Sequence, residues 1–221
     1  MNTLSDTQIC ASALVLLGQN PIADIADASV PNAVKCNAAY VKLRDAVLRE
    51  YDWNFARGRA QLAQVAAPAF GWQFAFQTPK DFLAARIVND NFYPWAVEGN
   101  TIVTNGGHGS AGAFFVGAPT STATAVCNLV YTRQITESGY FDTMFTDCLS
   151  LRIAAELAVS ILKDASKSQL MLGLYEKRMP ATKRVNASEG SQDHEHDQAR
   201  HSSWISGRGD PGPGRGGRYW Y

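Results

Sequence analysis

The side chains in this sequence that could do chemistry are scattered, and each group must be tested against the spacing its chemistry needs. Gly106-Gly107-His108-Gly109-Ser110-Ala111-Gly112 sets a histidine and a serine among glycines, as an acyl-transfer site would. A nucleophile elbow, Gly-x-Ser-x-Gly, needs glycine where His108 stands, and a phosphate-binding loop needs a Gly-Lys-Ser/Thr ending that is missing. The segment reads as a loop tip. Gly207, Gly209 and Gly212 match a dinucleotide fingerprint in spacing, but no strand precedes them, and Pro211 and Pro213 forbid the helix that should follow. His194, His196 and His201, interleaved with Asp193, Glu195 and Asp197, have the right donors for a transition metal. Ordering such a solvated tract costs entropy, so a plain charge run is the preferred reading. Arg208-Gly209-Asp210 has the form of an integrin-binding tripeptide, a partner that a cytoplasmic chain does not meet. Arg152 and Glu156, one helical turn apart, suit an ion pair within or between subunits better than an acid/base couple. Cys10, Cys36, Cys127 and Cys148 are far apart with no Cys-x-x-Cys pair, and each reads as a small core residue. Neither a catalytic group, a metal nor a cofactor is expected.

One arrangement points to binding rather than chemistry. Arg208, Arg215 and Arg218 stand among glycines and lead into Tyr219-Trp220-Tyr221. Charge plus stacking could engage single-stranded nucleic acid. The same residue types also dominate protein–protein hot spots. Five acidic residues from Glu189 to Asp210 offset four arginines in this tail, which favours a protein pocket as the partner.

The elements that must position these groups follow from periodicity. Ser5 with Gln8 makes a capping box, and Ile9, Ala13, Leu16 and Leu17 fall at helical spacing before Gly18, so a helix is expected over 6–17. A second helix starts near Ser29 and Pro31, with Val34, Ala38, Val41 and Leu48 on one stripe and Tyr40, Leu43, Val47 and Tyr51 beside it. So wide an apolar arc implies cover on two sides. From Phe70 the period becomes two: Phe70, Trp72, Phe74 and Phe76 give a strand an aromatic face. Residues 95–97 and 101–104 flank Glu98-Gly99-Asn100 as a hairpin, 105–119 reads as a loop, and 124–132 as a strand. Helical spacing returns at Met144, Cys148, Leu151, Ala155, Ala158 and Leu162. A capping box at Ser166 and Gln169 then opens a last helix that should end before Pro180. Beyond about 187 the periodicity is lost, and the Gly/Arg/Pro-rich tail reads as an arm that orders against a partner.

The expected class is therefore α+β: N- and C-terminal helices (1–69 and 136–186) forming one helical bundle, an antiparallel β module (70–135) inserted between them, and an arm (187–221). Hydrophobic residues make up 46% and charged ones 18% of the 221 residues, a globular balance. Basic and acidic residues number 20 each, which removes the field that would draw the chain onto duplex DNA or anionic lipid. No run reaches the roughly 18 apolar residues of a membrane span. Without the pattern of a secretory signal, synthesis and assembly in the cytoplasm are expected.

Taken in order, a set of segments resembles the head-to-tail adaptor family of short-tailed bacteriophages, the tail tubular protein A type. These are residues 13–22 (ALVLLGQNPI), 44–49 (RDAVLR) leading into 53–56 (WNFA), 76–83 (FQTPKDFL), Val130-Tyr131, and Phe141-Asp142 to Phe145 with the helix that follows. The likeness rests on collinearity over roughly residues 8–180. It implies a dodecameric ring beneath the portal that extends the DNA channel, receives the tail nozzle below and docks on the portal through its C-terminal segment. Phage DNA would slide through without sequence-specific binding, which a near-neutral chain suits. On this resemblance the portal-docking residues are Arg208, Arg215, Arg218, Tyr219, Trp220 and Tyr221. The subunit-interface candidates are Val41, Leu48, Arg152, Ala155 and Glu156, drawn from helices with apolar arcs wider than one neighbour needs. Trp53 and Phe55 are expected to pack in the core. Two other classes stay open: a virion-associated hydrolase of the cell envelope, and a single-strand-binding module acting through the tail.

Overall fold

A computed structural model describes residues 4–109, 114–116 and 125–189. The order of elements is α1 (Asp6–Leu16), α2 (Pro31–Glu50), β1 (Arg57–Val65), β2 (Phe74–Gln77), β3 (Phe82–Val88), β4 (Trp95–Glu98), β5 (Thr101–Thr104), β6 (Gly106–Gly109), β7 (Phe114–Val116), β8 (Ala125–Arg133), α3 (Thr143–Leu157) and α4 (Ala165–Ser188). The described residues are thus mixed α and β, with four α-helices and an antiparallel sheet.

Helix α1 starts where its capping box places it. Ser5 Oγ accepts from the Gln8 amide at 3.3 Å, and Gln8 Oε1 accepts from the Ser5 amide at 2.8 Å. It stops at Gly18, whose φ of +73° allows the Gln19 amide to reach back to the Leu14 carbonyl and the Gly18 amide to the Val15 carbonyl. Pro31 opens α2, its missing N–H costing nothing at the first helical position. Asp142 caps α3, accepting from the Met144 and Phe145 amides. Helix α3 is buried almost all round, with Phe145, Cys148, Leu149, Ile153 and Ala154 all fully inaccessible. A helix of that kind must have neighbours on every side, and α1, α2 and α4 each pack on it.

Two expectations for the C-terminal helices fail. The cap of α4 is Asp164, which accepts from the Lys167 amide at 3.0 Å, and not Ser166. The helix also runs on through Pro180 to Ser188. Pro180 is exposed, so water can reach the carbonyl that its absent N–H leaves free. Meanwhile Met171, Tyr175, Met179, Thr182 and Asn186 keep one buried stripe in register across it. Packing of that stripe outweighs a penalty of about 3 kcal/mol. Between α3 and α4 the chain takes a π turn over Ala158–Leu162 and reverses at Lys163, whose φ is +55°.

In the sheet, β8 is the strand that the others organise around. It pairs along one edge with β1, and along the other with β3 towards its end and β6 at its start. The far end of β1 leaves β8 to pair with β2, which continues through β5 to β4. Gly58 in β1 faces Tyr131 of β8, and a Cβ there would come within 2.8 Å of the phenol ring, so any larger residue must push that ring aside. The inner face of β8, Ala125, Cys127, Leu129 and Tyr131, packs with Leu62, Phe74, Phe76, Val88 and Ile102 into a second core.

The sheet therefore begins at Arg57, not at 70: β1 alternates, with Arg57, Arg59 and Gln61 exposed and Gly58, Ala60 and Leu62 turned inward, but those inward side chains are mostly small, while β3 shows no alternation of burial. The strand placed over 70–77 is shorter than expected: Phe74 and Phe76 are fully buried, but Gly71 at φ +90° breaks the run and Phe70 is 88% exposed. The segment 105–119, expected as loop, contains the paired strands β6 and β7. The hairpin of β4 and β5 is as expected, with Glu98 opposite Thr101 across the two-residue turn Gly99-Asn100. No helix among the described residues is long and apolar enough to cross a membrane.

Candidate functional site

The junction between helices and sheet is built first, because it fixes where the helical surfaces point. Arg86 of β3 donates to the carbonyls of Arg49 and Tyr51 at 2.9 and 2.7 Å, filling the orphan acceptors at the end of α2. Its Nε donates to Thr132 of β8 at 2.8 Å. Desolvation is the main influence on this guanidinium and lowers its pKa. Arg49 returns the contact, donating to the Leu83 carbonyl at 2.8 Å. A second clasp holds the end of α4: Asn186 accepts from the Asn54 amide at 3.0 Å and donates to the Asp52 carbonyl at 3.3 Å. Helix α4 therefore ends beside the crossover into the sheet.

Polar groups inside the helical part bind the helices to one another. Tyr40 of α2 donates to Asp6 of α1, and Tyr175 of α4 donates to Glu50 of α2, both at 2.7 Å. Burial first, then these carboxylates, pushes both phenols well above their ordinary pKa. Buried Arg44 pairs with Asp45 at 2.9 Å, and Asp45 accepts from Gln134 at 2.6 Å, tying α2 to the strand-to-helix connection. Cys10 and Cys36, distant in sequence, meet across α1 and α2, and the Cys10 thiol is pushed up chiefly by its hydrogen bond with Cys36. Burial alone pushes Cys127 up to about 12. The Cys10 and Cys127 thiols therefore have little nucleophilic character at neutral pH, whereas the hydrogen bond with Cys10 lowers the pKa of Cys36.

Two apolar helix surfaces have no cover within the described chain. The first is a groove of about 970 Å³, with Leu4, Val15 and Leu16 of the α1 side on one wall, Leu174 of α4 on the other and Leu151 of α3 on the floor. Lys177 and Arg178 stand on its rim, Arg178 pairing with Asp147 at 2.9 Å. The second is a stripe on α2, where Val34 and Val41 are each 49% exposed and Ala38 lies open between them.

The expected interface residues divide accordingly. Val41 is on the open stripe. Leu48 and Ala155 are corrected: at 0% and 2% exposure they belong to the chain's own helical core, because the buried arcs of α2 and α3 wrap far enough round to include them. Charge at either would unfold the chain and say nothing of a neighbour. Glu156 is exposed but pairs with Lys42 of α2 at 3.2 Å, and not with Arg152. Trp53 is core, donating to the Val47 carbonyl at 3.0 Å and packing edge-on to Phe145, with Phe55 beside it. His108 pairs through its backbone with Phe114 and Val126. Ser110, the histidine tract and the arm residues Arg208, Arg215, Arg218, Tyr219, Trp220 and Tyr221 lie outside the described residues. Among the described residues no group of histidine, cysteine and carboxylate side chains could hold a metal ion.

The groove was not foreseen. Its walls come from residues more than 150 positions apart, and Leu174 and Val15 carry no motif. No protein-family model matches the chain, and a search of curated proteins returns no match.

Proposed function

We propose that this chain is a structural virion protein, the adaptor that forms a ring between the portal and the tail nozzle of a short-tailed phage, and that it does no catalysis. The observation that carries this reading is the co-folding of the two sequence ends. Helices α1 and α2 share one core with α3 and α4 while the sheet has a second, which supports reading the chain as a helical bundle with an inserted β module. A bundle of this kind with two uncovered apolar surfaces is suited to side-by-side assembly. The arm would dock on the portal through Arg208, Arg215, Arg218 and the aromatic tip Tyr219-Trp220-Tyr221, the residue types that dominate hot spots. Virion neck localisation and passage of phage DNA through the lumen belong to the same proposal.

The test is to purify the full chain, image it alone and with portal rings of the same virus, and measure co-sedimentation. Rings that cap the portal are the expected outcome, with docking lost when 190–221 are deleted. A chain that never joins portal rings, or that cleaves peptidoglycan, would overturn the reading.

A further inference from the structure

The groove and the stripe lie on opposite sides of the same molecule. The groove floor on α3 is Asp147, Ser150 and Leu151. At about 100° per residue, Glu156, which meets Lys42 of α2, lies roughly half a turn round α3 from the middle of that floor. A chain cannot reach its own groove with its own stripe. A second copy can, and each copy then still offers one free stripe and one free groove. Such a head-to-tail contact repeats, and it closes into a ring when the rotation fits.

Shape and charge agree with this pairing. Val30, Val34, Ala38 and Val41 recur at helical spacing along a ridge of about 16 Å at 1.5 Å per residue. The α1 wall of the groove, Asp6 to Leu16, is about 15 Å long by the same rise. Small ridge side chains let two helices approach to about 8–10 Å between axes. The loop that leads into the ridge carries exposed Asp24 and Asp27, which accept from local amides and Ser29 but pair with no cation among the described residues. At the groove rim Lys177 pairs with no carboxylate among them either. Acidic approach to the ridge and basic rim of the groove are opposite in sign.

We propose that the α2 ridge of one copy of this chain seats in the α1/α4 groove of the next, with Asp24 and Asp27 set towards the Lys177 rim. The contact deepens the adaptor reading and rests on it for ring closure alone. The test uses the full chain in three forms: wild type, a ridge variant (Val34→Asp with Val41→Asp) and a groove variant (Leu174→Asp). Association is followed by sedimentation velocity, helix content by circular dichroism, and portal docking separately on the same samples. Wild type should self-associate, and each variant should need at least about 30-fold more protein to do so, as loss of a central hot spot implies. An equimolar mixture of the two variants should give one-to-one dimers and stop there, since the groove variant retains a ridge, the ridge variant retains a groove, and no further site is left. That mixed dimer also shows that both variants are folded.

Unchanged association of either variant, or a mixture that stays monomeric, overturns the contact. A groove variant that dissociates while the ridge variant assembles normally assigns the groove to another occupant, such as residues 190–221, and also overturns it. So does a wild type that is monomeric both free and on the portal. The adaptor reading fails separately, in a wild type that associates head to tail yet does not bind portal rings. Variants that still form wild-type rings on the portal sink the ridge-in-groove contact and leave the adaptor reading standing.

Discussion

The helical part and the sheet solve the same burial problem by different means. In the helices, one element does most of the covering: α3 touches α1, α2 and α4, and the aromatic cluster of Trp53, Phe55, Phe141 and Phe145 sits where the chain crosses from helix to strand. In the sheet, burial is shared along β8 and stacked Phe74 and Phe76, with fewer partners for each ring. Loss of one side chain should therefore travel further through the helices than through the sheet. The two cores meet through the hydrogen bonds of Arg86, Arg49 and Asn186 and through Leu83 of β3, which packs on the helical core, so a polar clasp joins two bodies of packing.

The largest effect should come from Phe145→Ala. Its ring is inaccessible and packs against three other aromatic rings, and truncation should cost about 3–5 kcal/mol. Urea unfolding followed by far-ultraviolet dichroism should lose its helical midpoint accordingly. Phe76→Ala removes the same ring from the sheet core and should shift the helical midpoint less. Equal shifts in both variants would break the comparison, because the two cores would then unfold as one.

Arg86→Met should have an intermediate effect, about 1.5–3 kcal/mol, since it leaves the carbonyls closing α2 without their charged donor. It should also separate the tryptophan-fluorescence and dichroism transitions. Coincident transitions in this variant would mean that the clasp does not couple the two regions.

The smallest effect is one of pH. Tyr40 and Tyr175 are held neutral in the folded helices, their pKa raised above the ordinary value of 10.0. Above that pH the unfolded chain releases phenolic protons that the folded chain retains, so stability is full below about 10 and falls as pH rises. Tyr40→Phe with Tyr175→Phe should flatten this decline in the helical transition while leaving any decline in the sheet transition alone. An unchanged slope in the double variant would count against the assignment.

Most local structural signals are carried by the sequence, although the capping box at Ser166 and Gln169 gives way to Asp164 as the cap of α4. The Ser5 capping box, Pro31 at the start of α2, the Gly18 stop, the β4–β5 turn and the apolar stripe of α3 each need only neighbours within a turn or a hairpin. Even the excess width of the α2 arc was visible in the spacing of Val34, Ala38 and Val41. Which part of that arc stays open was decided by tertiary packing, which closes over Leu48 and leaves Val41 bare. The same holds for Pro180, which local rules place after a helix. The buried line from Met171 to Asn186 supplies cooperative packing that no residue near the proline announces. Strand β1 escapes notice because the inward positions of its alternation, Gly58, Ala60 and Leu62, carry little apolar bulk, and β3 because its burial does not alternate and pairing with β8 holds it in the sheet. The groove is the furthest from legibility. It exists because α1 and α4, at opposite ends of the chain, diverge over α3, and a gap between distant elements leaves no periodic mark in either one.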